Sequence, residues 1–361
     1  MSESKATFDL PITDPVHKDK DRLNWFDKKV LPLLNDKRDL PFMYLMLQMT
    51  LVVFPFAVAL FIPGVFHWWL AAIYWAVVAF GFLDKFILCL HNTSHRTLFH
   101  KKYKWANRLI PWVYGPLFGE TPDTYFAHHM GMHHPENNME DDLSSTLRFQ
   151  RDSVLGFGRY VGRFLTLGIY DLLSYHKRKG RGKLFRMALI GELAYYAAAI
   201  GLMFVNWRAS VAVFVVPLIF TRFMMMAGNW AQHAFIDASQ PSNCYLNSIT
   251  CINSRYNRRA FNDGYHIGHH IKANRHWTEM PTDFLDTVEE YGRQDAVVFQ
   301  GVDYFQVWLM LMLKQHRALA KRFVQLPGRE RSEDEVVALL KSRLKPVVQS
   351  KAEASLSPAT A

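Results

Sequence analysis

The stretch PFMYLMLQMTLVVFPFAVALFI, residues 41–62, runs for 22 residues without a charged side chain. An α-helix rises about 1.5 Å per residue, so about 20 such residues cross the hydrocarbon of a bilayer. Three more apolar runs follow, at 66–83, 187–205 and 209–228. Pro63 and Gly64 separate the first two, and Asn206-Trp207-Arg208 separates the last two. Links this short join antiparallel neighbours. The pattern predicts an all-α integral membrane protein with four transmembrane helices, at about 41–62, 66–83, 187–205 and 209–228. The shorter apolar pieces 109–118 and 297–313 are expected to be re-entrant or surface-lying helices.

Charge gives the direction of these helices. The 361 residues carry 42 Lys and Arg against 32 Asp and Glu, a net charge of +10. The tight links hold a single cation, Arg208, whereas the first 40 residues, the connection 84–186 and the chain after 229 are rich in Lys and Arg. By the positive-inside rule those three parts face the cytoplasm. Both termini are therefore expected there, at the inner membrane if the host is bacterial. A basic excess so placed suits the anionic leaflet of a lipid bilayer, and no nucleic-acid partner is expected. Residues 1–40 read as a cytosolic arm with a short amphipathic helix at 25–34 and no secretory signal. Residues 329–361 read as a charged helix and then a disordered Ala/Ser/Pro tail. Cys89, Cys244 and Cys251 give no disulfide framework and cannot supply the four thiolates of an iron–sulfur cluster.

Sixteen histidines are present, and nine of them fall into four groups. His91 and His95 form HNTSH. His129, His133 and His134 form H-x-x-x-H-H within HHMGMHH, residues 128–134. His233 stands alone after the fourth apolar run, and His266, His269 and His270 form HIGHH. Spacings of three and four put imidazoles on one helix face. Imidazole is a good ligand for iron, zinc, copper and nickel. Nine ligands are too many for one ion and suit two with four or five each, leaving open positions for oxygen. All four groups also fall on the side that the charges assign to the cytoplasm. A membrane metal transporter, by contrast, would line a path with histidines inside its spans.

At these residues the chain resembles the membrane fatty acid desaturase superfamily of non-haem di-iron enzymes, over roughly residues 40–285. The pattern there is H-x(3,4)-H, H-x(2,3)-H-H, a later lone histidine, and H-x-x-H-H. The resemblance implies a cytosolic helical cap holding two Fe ions through the nine histidines. It also implies a water-mediated contact from Asn229, O2 as co-substrate, and a catalytic domain over 41–328. One departure stands out. Most acyl-lipid desaturases have two residues between the histidines of the second box, and this chain has three, Met130, Gly131 and Met132. That spacing resembles the alkane hydroxylase branch, in which an acidic, serine-containing stretch follows, as MEDDLSST does at 139–146. Desaturation of a fatty acyl chain is the expected outcome. Oxidative decarboxylation of a free fatty acid to a terminal alkene, and hydroxylation, are the alternatives. Two electrons per turnover are expected from an external ferredoxin- or cytochrome-type donor and its reductase. Arg255, Arg258, Arg259, Lys101 and Lys102 are candidate docking charges.

Other residues are placed by proximity. Metal-bound imidazoles usually donate their other N–H to a carboxylate or carbonyl. Asp141, Asp142 and Asp263 are candidates for that role, and His128, beside the second box, is expected to support the ligands rather than be one. Glu192 and Arg222 lie inside apolar runs at matching depth on neighbouring helices, so an ion pair is expected between them. Helix rise puts Arg222 about 16 Å from His233 along the same helix.

Overall fold

The computed structural model describes residues 10–347, and the fold is mostly helical. Helix α1 (Trp25–Val30) covers the first part of the helix expected at 25–34, is capped by Asn24 and buries Asp27 and Val30. Three helical stretches are long and apolar enough to cross a membrane: α2 (Lys37–Phe61), α3 (Trp68–His95) and a third at Gly182–Gln232. The third counts 51 residues, about 77 Å if straight, more than twice the hydrocarbon thickness. It is not straight. Asn206 leaves the helical region at φ −157° and ψ 102°. Beyond it, the Tyr195 hydroxyl donates to Phe214 O at 2.8 Å and the Ser210 hydroxyl to Ala199 O at 2.6 Å. As one partner's number rises the other's falls, so the stretch is an antiparallel hairpin of α6 (182–205) and α7 (207–232). The break falls at Asn206 because its short amide accepts from the backbone N–H of Ala209, so the side chain caps the second helix.

The end of an apolar run is not the end of a helix. Asp84 and Lys85 close the second run, yet α3 continues without a break to His95 and carries the first histidine pair on its last turns. The piece 109–118 is short and helical, with Pro111 and Pro116 at its turns. The piece 297–313 is not one helix, which corrects the expectation. Val297–Gln300 is strand β2, paired in parallel with β1 (Ile249–Ile252) in the register Ile249↔Val297 to Ile252↔Gln300. The β-branched and aromatic run Val297-Val298-Phe299 fits a buried strand. Asp303 then starts α9 (Tyr304–Met312) with a reciprocal capping box to Gln306. The chain is thus not purely helical, and this small sheet bears directly on the histidines.

Neither terminal part is an appendage. Asp14 is buried and accepts from Asn253 N, Asn257 Nδ2 and the Tyr265 hydroxyl, so the arm straps the segment before the HIGHH box. The charged helix α10 (Glu333–Arg343) buries Val336 and Leu340 in the same apolar cluster as Leu319 and Ala320 and as Val307 and Leu311 of α9. Arg151, fully buried, fastens this end. Its guanidinium donates to six carbonyls, among them Thr146 O and Ala234 O near the histidines and Arg343 O and Lys345 O at the C-terminal end. The expected Ala/Ser/Pro tail lies mainly in 348–361, outside the described residues.

Candidate metal centre

The four histidine groups reach one place from different elements. His91 and His95 end α3. The second box lies in α4 (124–136), His233 directly follows α7, and the third box forms α8 (His266–Ile271). The sheet sets the position of α8: Cys251 N of β1 donates to Gly264 O at 2.7 Å, two residues before His266.

Within α4 the segment His129–His133 is a π-turn, in which the His134 N–H bonds back to His129 O. A π-turn closes i→i+5 rather than i→i+4 hydrogen bonds and so takes up one more residue per turn. In this wider turn, positions four apart stand roughly where positions three apart stand in an α-helix. The extra residue in the box is absorbed by the backbone. Gly131 sits at this point because a Cβ there would come within 2.7 Å of Leu184 Cδ1 and 2.9 Å of His176 Cε1.

The ring nitrogens converge in two groups. Five Nε2 atoms form a chain: His91–His269 3.0 Å, His269–His134 3.0 Å, His134–His129 3.1 Å and His129–His95 3.0 Å. In the other group, His266 Nε2 is 3.2 Å from His233 Nε2 and 3.0 Å from His270 Nε2. The His133 ring lies 5.3 Å from those of His233 and His270. Each imidazole nitrogen has one in-plane site, an N–H or a lone pair. His269, His134, His129 and His266 each face two other Nε2 atoms, which imidazole hydrogen bonds cannot satisfy pairwise. Lone pairs aimed at a common cation can. With metal–nitrogen bonds of about 2.1 Å, the edge of an octahedron is about 3.0 Å and that of a tetrahedron about 3.4 Å. The spacing suits six-coordinate ions with positions to spare. Four rings of each group alone, His91, His95, His129 and His269, or His133, His233, His266 and His270, already make a site fit for a metal ion.

Burial lowers the basicity of most of these rings, and outer contacts orient two of them. Burial first, and then neighbouring imidazoles, lowers His134 to about 2 and His233 to about 3. His129, His266, His269 and His270 are lowered for the same reasons. His133 Nδ1 is 2.7 Å from Asp142 Oδ2 and His233 Nδ1 is 2.8 Å from Asn247 O. Those contacts put the proton on Nδ1 and leave Nε2 free to bind. Asp263 Oδ1 stands 3.7 Å from His91 Nδ1, and burial pushes its carboxyl up to about 7.

The other expected residues divide. Asn229 lies one turn before His233, and its Nδ2 donates to Ser144 O at 2.9 Å and Tyr160 Oη at 2.8 Å. His128 belongs to neither group; its Nε2 is 3.4 Å from Ser144 Oγ. Asp141 does not support the centre. It is half exposed and paired with Arg178 at 3.0 Å and Lys179 at 2.8 Å, because the tight turn at 139–142 points it outward while Asp142 points in. Arg259 is not a free docking charge either, since it pairs with Asp84 of α3. Arg222 Nη2 donates to Glu192 Oε1 at 3.0 Å. Arg222 also borders a cavity that His128 lines, so the chain around it brings it nearer the second box than helix rise alone implied. Residue types gave no sign of Asn247 O, Tyr125, whose ring stacks on His129 at 5.1 Å, or Thr146, which donates to His233 O at 2.6 Å. Glu120, eight residues before His128, is a lone acid that no spacing ties to the histidines.

Comparison with known protein families matches residues 66–301, well over half of the chain, to the family described as fatty acid desaturase. Comparison with curated proteins and with solved structures gives no match. The chain belongs to the fatty acid desaturase family.

Proposed function

From that membership, we propose that the protein is an O2-dependent membrane di-iron oxidase that desaturates a fatty acyl chain. The observation that carries this reading is the convergence of nine imidazoles into two groups whose lone pairs have no hydrogen-bonding solution. Two iron ions held there, one by His91, His95, His129, His134 and His269 and the other by His133, His233, His266 and His270, supply the oxidation of an unactivated C–H bond.

The chain's own residues do the rest. Asp142 and Asn247 O hold protons on the outer nitrogens of His133 and His233. The buried aromatic and aliphatic walls exclude water and hold the alkyl chain. The resemblance assigns Asn229, one turn before His233, a water-mediated contact to the second ion. Removing two hydrogens from –CH2–CH2– provides two electrons, and an external donor provides two more. With the two protons of those hydrogens and two more from solvent, the four electrons reduce O2 to two waters.

The two helices of the 182–232 hairpin, together with α2 and α3, make four crossings. Helix α3, at 28 residues, is about 42 Å long and overreaches the hydrocarbon by about 12 Å, which carries His91 and His95 to the edge. The Lys- and Arg-rich segments support a reading with that edge and both termini in the cytoplasm. Purified protein should hold two irons per chain. With reductant, a ferredoxin and O2 it should convert fatty acyl substrates to products two hydrogens lighter, read by mass spectrometry. Loss of CO2 or gain of oxygen in the product would replace desaturation with decarboxylation or hydroxylation. No O2-dependent product across chain lengths and head groups would overturn the oxidase reading.

A further inference from the structure

One corner of the chain grips the second box from outside. Helix α5 (Val154–Arg178) ends in a Schellman turn: Arg181 N donates to His176 O at 2.8 Å and Gly180 N to Lys177 O at 3.2 Å. Gly180 closes it at φ +68°, a conformation that side chains rarely adopt. The turn brings Arg181 back beside Tyr175, whose hydroxyl is 3.3 Å from Arg181 Nη1.

The side chains of this corner meet α4 at three points. His176 Nε2 donates to Ala127 O at 3.0 Å, ahead of the first ligand of the box. Arg181 Nη1 donates to Gly131 O, inside the spacer. Tyr175 Oη donates to Glu136 Oε1 at 2.6 Å, and Lys179 Nζ pairs with the same oxygen at 3.0 Å, past the last ligand. His129, His133 and His134 all lie between these anchors, which go to backbone and to Glu136 rather than to the imidazoles. Ala127, Met132, Leu172 and Tyr175 are buried in one apolar cluster, so the corner is packed against the box as well as bonded to it.

The middle anchor has a cause in the sequence. An α-helix pairs the carbonyl of Gly131 with the N–H of residue 135, and Pro135 has none. A proline ring also presses on the carbonyl four residues before it. A wider turn, such as His129–His133 makes, relieves that pressure. The carbonyl then needs a donor from elsewhere. Arg181 is that donor, and Gly131 has no Cβ to block the approach of this corner.

We propose that Arg181 is a positioning residue for the metal centre: through Gly131 O it holds the His129–His133 turn in its wide form, and so fixes the directions from which His129, His133 and His134 reach their ions. Without that donor the turn rewinds, and the angle about the helix axis between His129 and the His133–His134 pair changes. The proposal rests on the two-ion reading of the histidines.

The test compares full-length native protein in nanodiscs with Arg181→Met, Arg181→Lys and Arg178→Ala. Arg181→Met keeps the length of the side chain and removes its donors. Arg178→Ala removes a cation from the same corner that bonds to Asp141 instead. Cobalt(II) is the probe, because its visible absorption follows the number and geometry of its ligands. In Arg181→Met the spectrum per bound cobalt should change, and retention against chelators should fall about tenfold. Arg181→Lys should recover most of both, and Arg178→Ala should match the native protein. Hydrogen exchange of the metal-free protein is the second readout. Peptides covering 129–137, where His134 N–H bonds to His129 O, should exchange several-fold faster in Arg181→Met, with those of α2 unchanged. Should Arg181→Met not fold, Arg181→Gln, polar but too short to reach Gly131 O, carries the same expectations. A lowered thermal midpoint with the spectrum per bound cobalt unchanged makes Arg181 merely structural and overturns the proposal. So does an equal effect of Arg178→Ala, or unaltered exchange at 129–137. Native protein that binds neither cobalt nor iron, while the exchange result holds, sinks the two-ion reading and keeps the role of Arg181 in the turn.

Discussion

Replacing Asp142 with Asn should empty one metal position and spare the other. The Asp142 carboxylate accepts four hydrogen bonds. His133 Nδ1 at 2.7 Å and Asn138 N at 3.1 Å reach Oδ2, and Ser144 N at 2.9 Å and Ser144 Oγ at 2.7 Å reach Oδ1. An asparagine keeps the shape but turns one oxygen into an NH2 group. Facing His133, that group opposes two N–H donors; facing Ser144, it opposes one, so the second rotamer should win. His133 then keeps an acceptor, but a neutral one, and loses basicity and orientation. Outer partners of this kind contribute about 10–100-fold in metal affinity, or about 1.4–2.7 kcal/mol. The loss should fall on the group containing His133, His233, His266 and His270. The five-histidine group has no hydrogen bond to this carboxylate. Iron retention measured against a graded series of chelators should therefore fall from two ions per chain to one at a chelator strength that leaves the native protein fully loaded. Parallel loss of both ions, or unchanged retention of both, would refute the assignment of Asp142 to one ion.

Two further outcomes follow from the same geometry. Gly131→Ala places a methyl against Leu184 and the His176 ring, an overpacking expected to cost about 1–3 kcal/mol, read as a lowered thermal midpoint with weakened iron retention. The metal-free protein should also be acid-sensitive. His134 and His233 are lowered to about 2 and about 3 from an ordinary 6.5, so the unfolded chain takes up their protons first. Their contribution to stability is complete above pH 6.5 and declines as pH falls toward 3, by up to about 1.4 kcal/mol per pH unit for each ring. Thermal midpoints of metal-free protein that stay flat from pH 7 to pH 4 would contradict this.

The spans and the nine histidines were legible because each leaves a local mark: a run without charge, or one residue type at helical spacing. The Asn206 hairpin could be read for the same reason, since the three residues Asn206-Trp207-Arg208 between apolar runs leave no room for anything else. What could not be read is what depends on contacts distant in sequence. The strand at 297–300 looks like the start of a helix until it is paired with 249–252. The partner of His233 is a backbone carbonyl, Asn247 O, which no residue type announces. Asp141 and Asp142 are adjacent and chemically alike, and only the turn that carries them decides which one meets a histidine. Arg222 was placed by rise along its own helix, and the cavity it shares with His128 depends on how α4, α5 and the hairpin pack.

The wider turn at His129–His133 changes what a motif count means. A helix keeps its register by turns, and a ligand set is defined by directions in space rather than by positions in a string. Two chains that differ by one residue in this box can therefore grip the same ion in the same way, one through an α-turn and the other through a π-turn. The length of the Met130-Gly131-Met132 spacer then reports on the backbone beneath the metal and is silent on the bond that is broken. Whatever separates one oxidative outcome from another in such proteins must be sought where the substrate binds, and not in the arithmetic of the histidines.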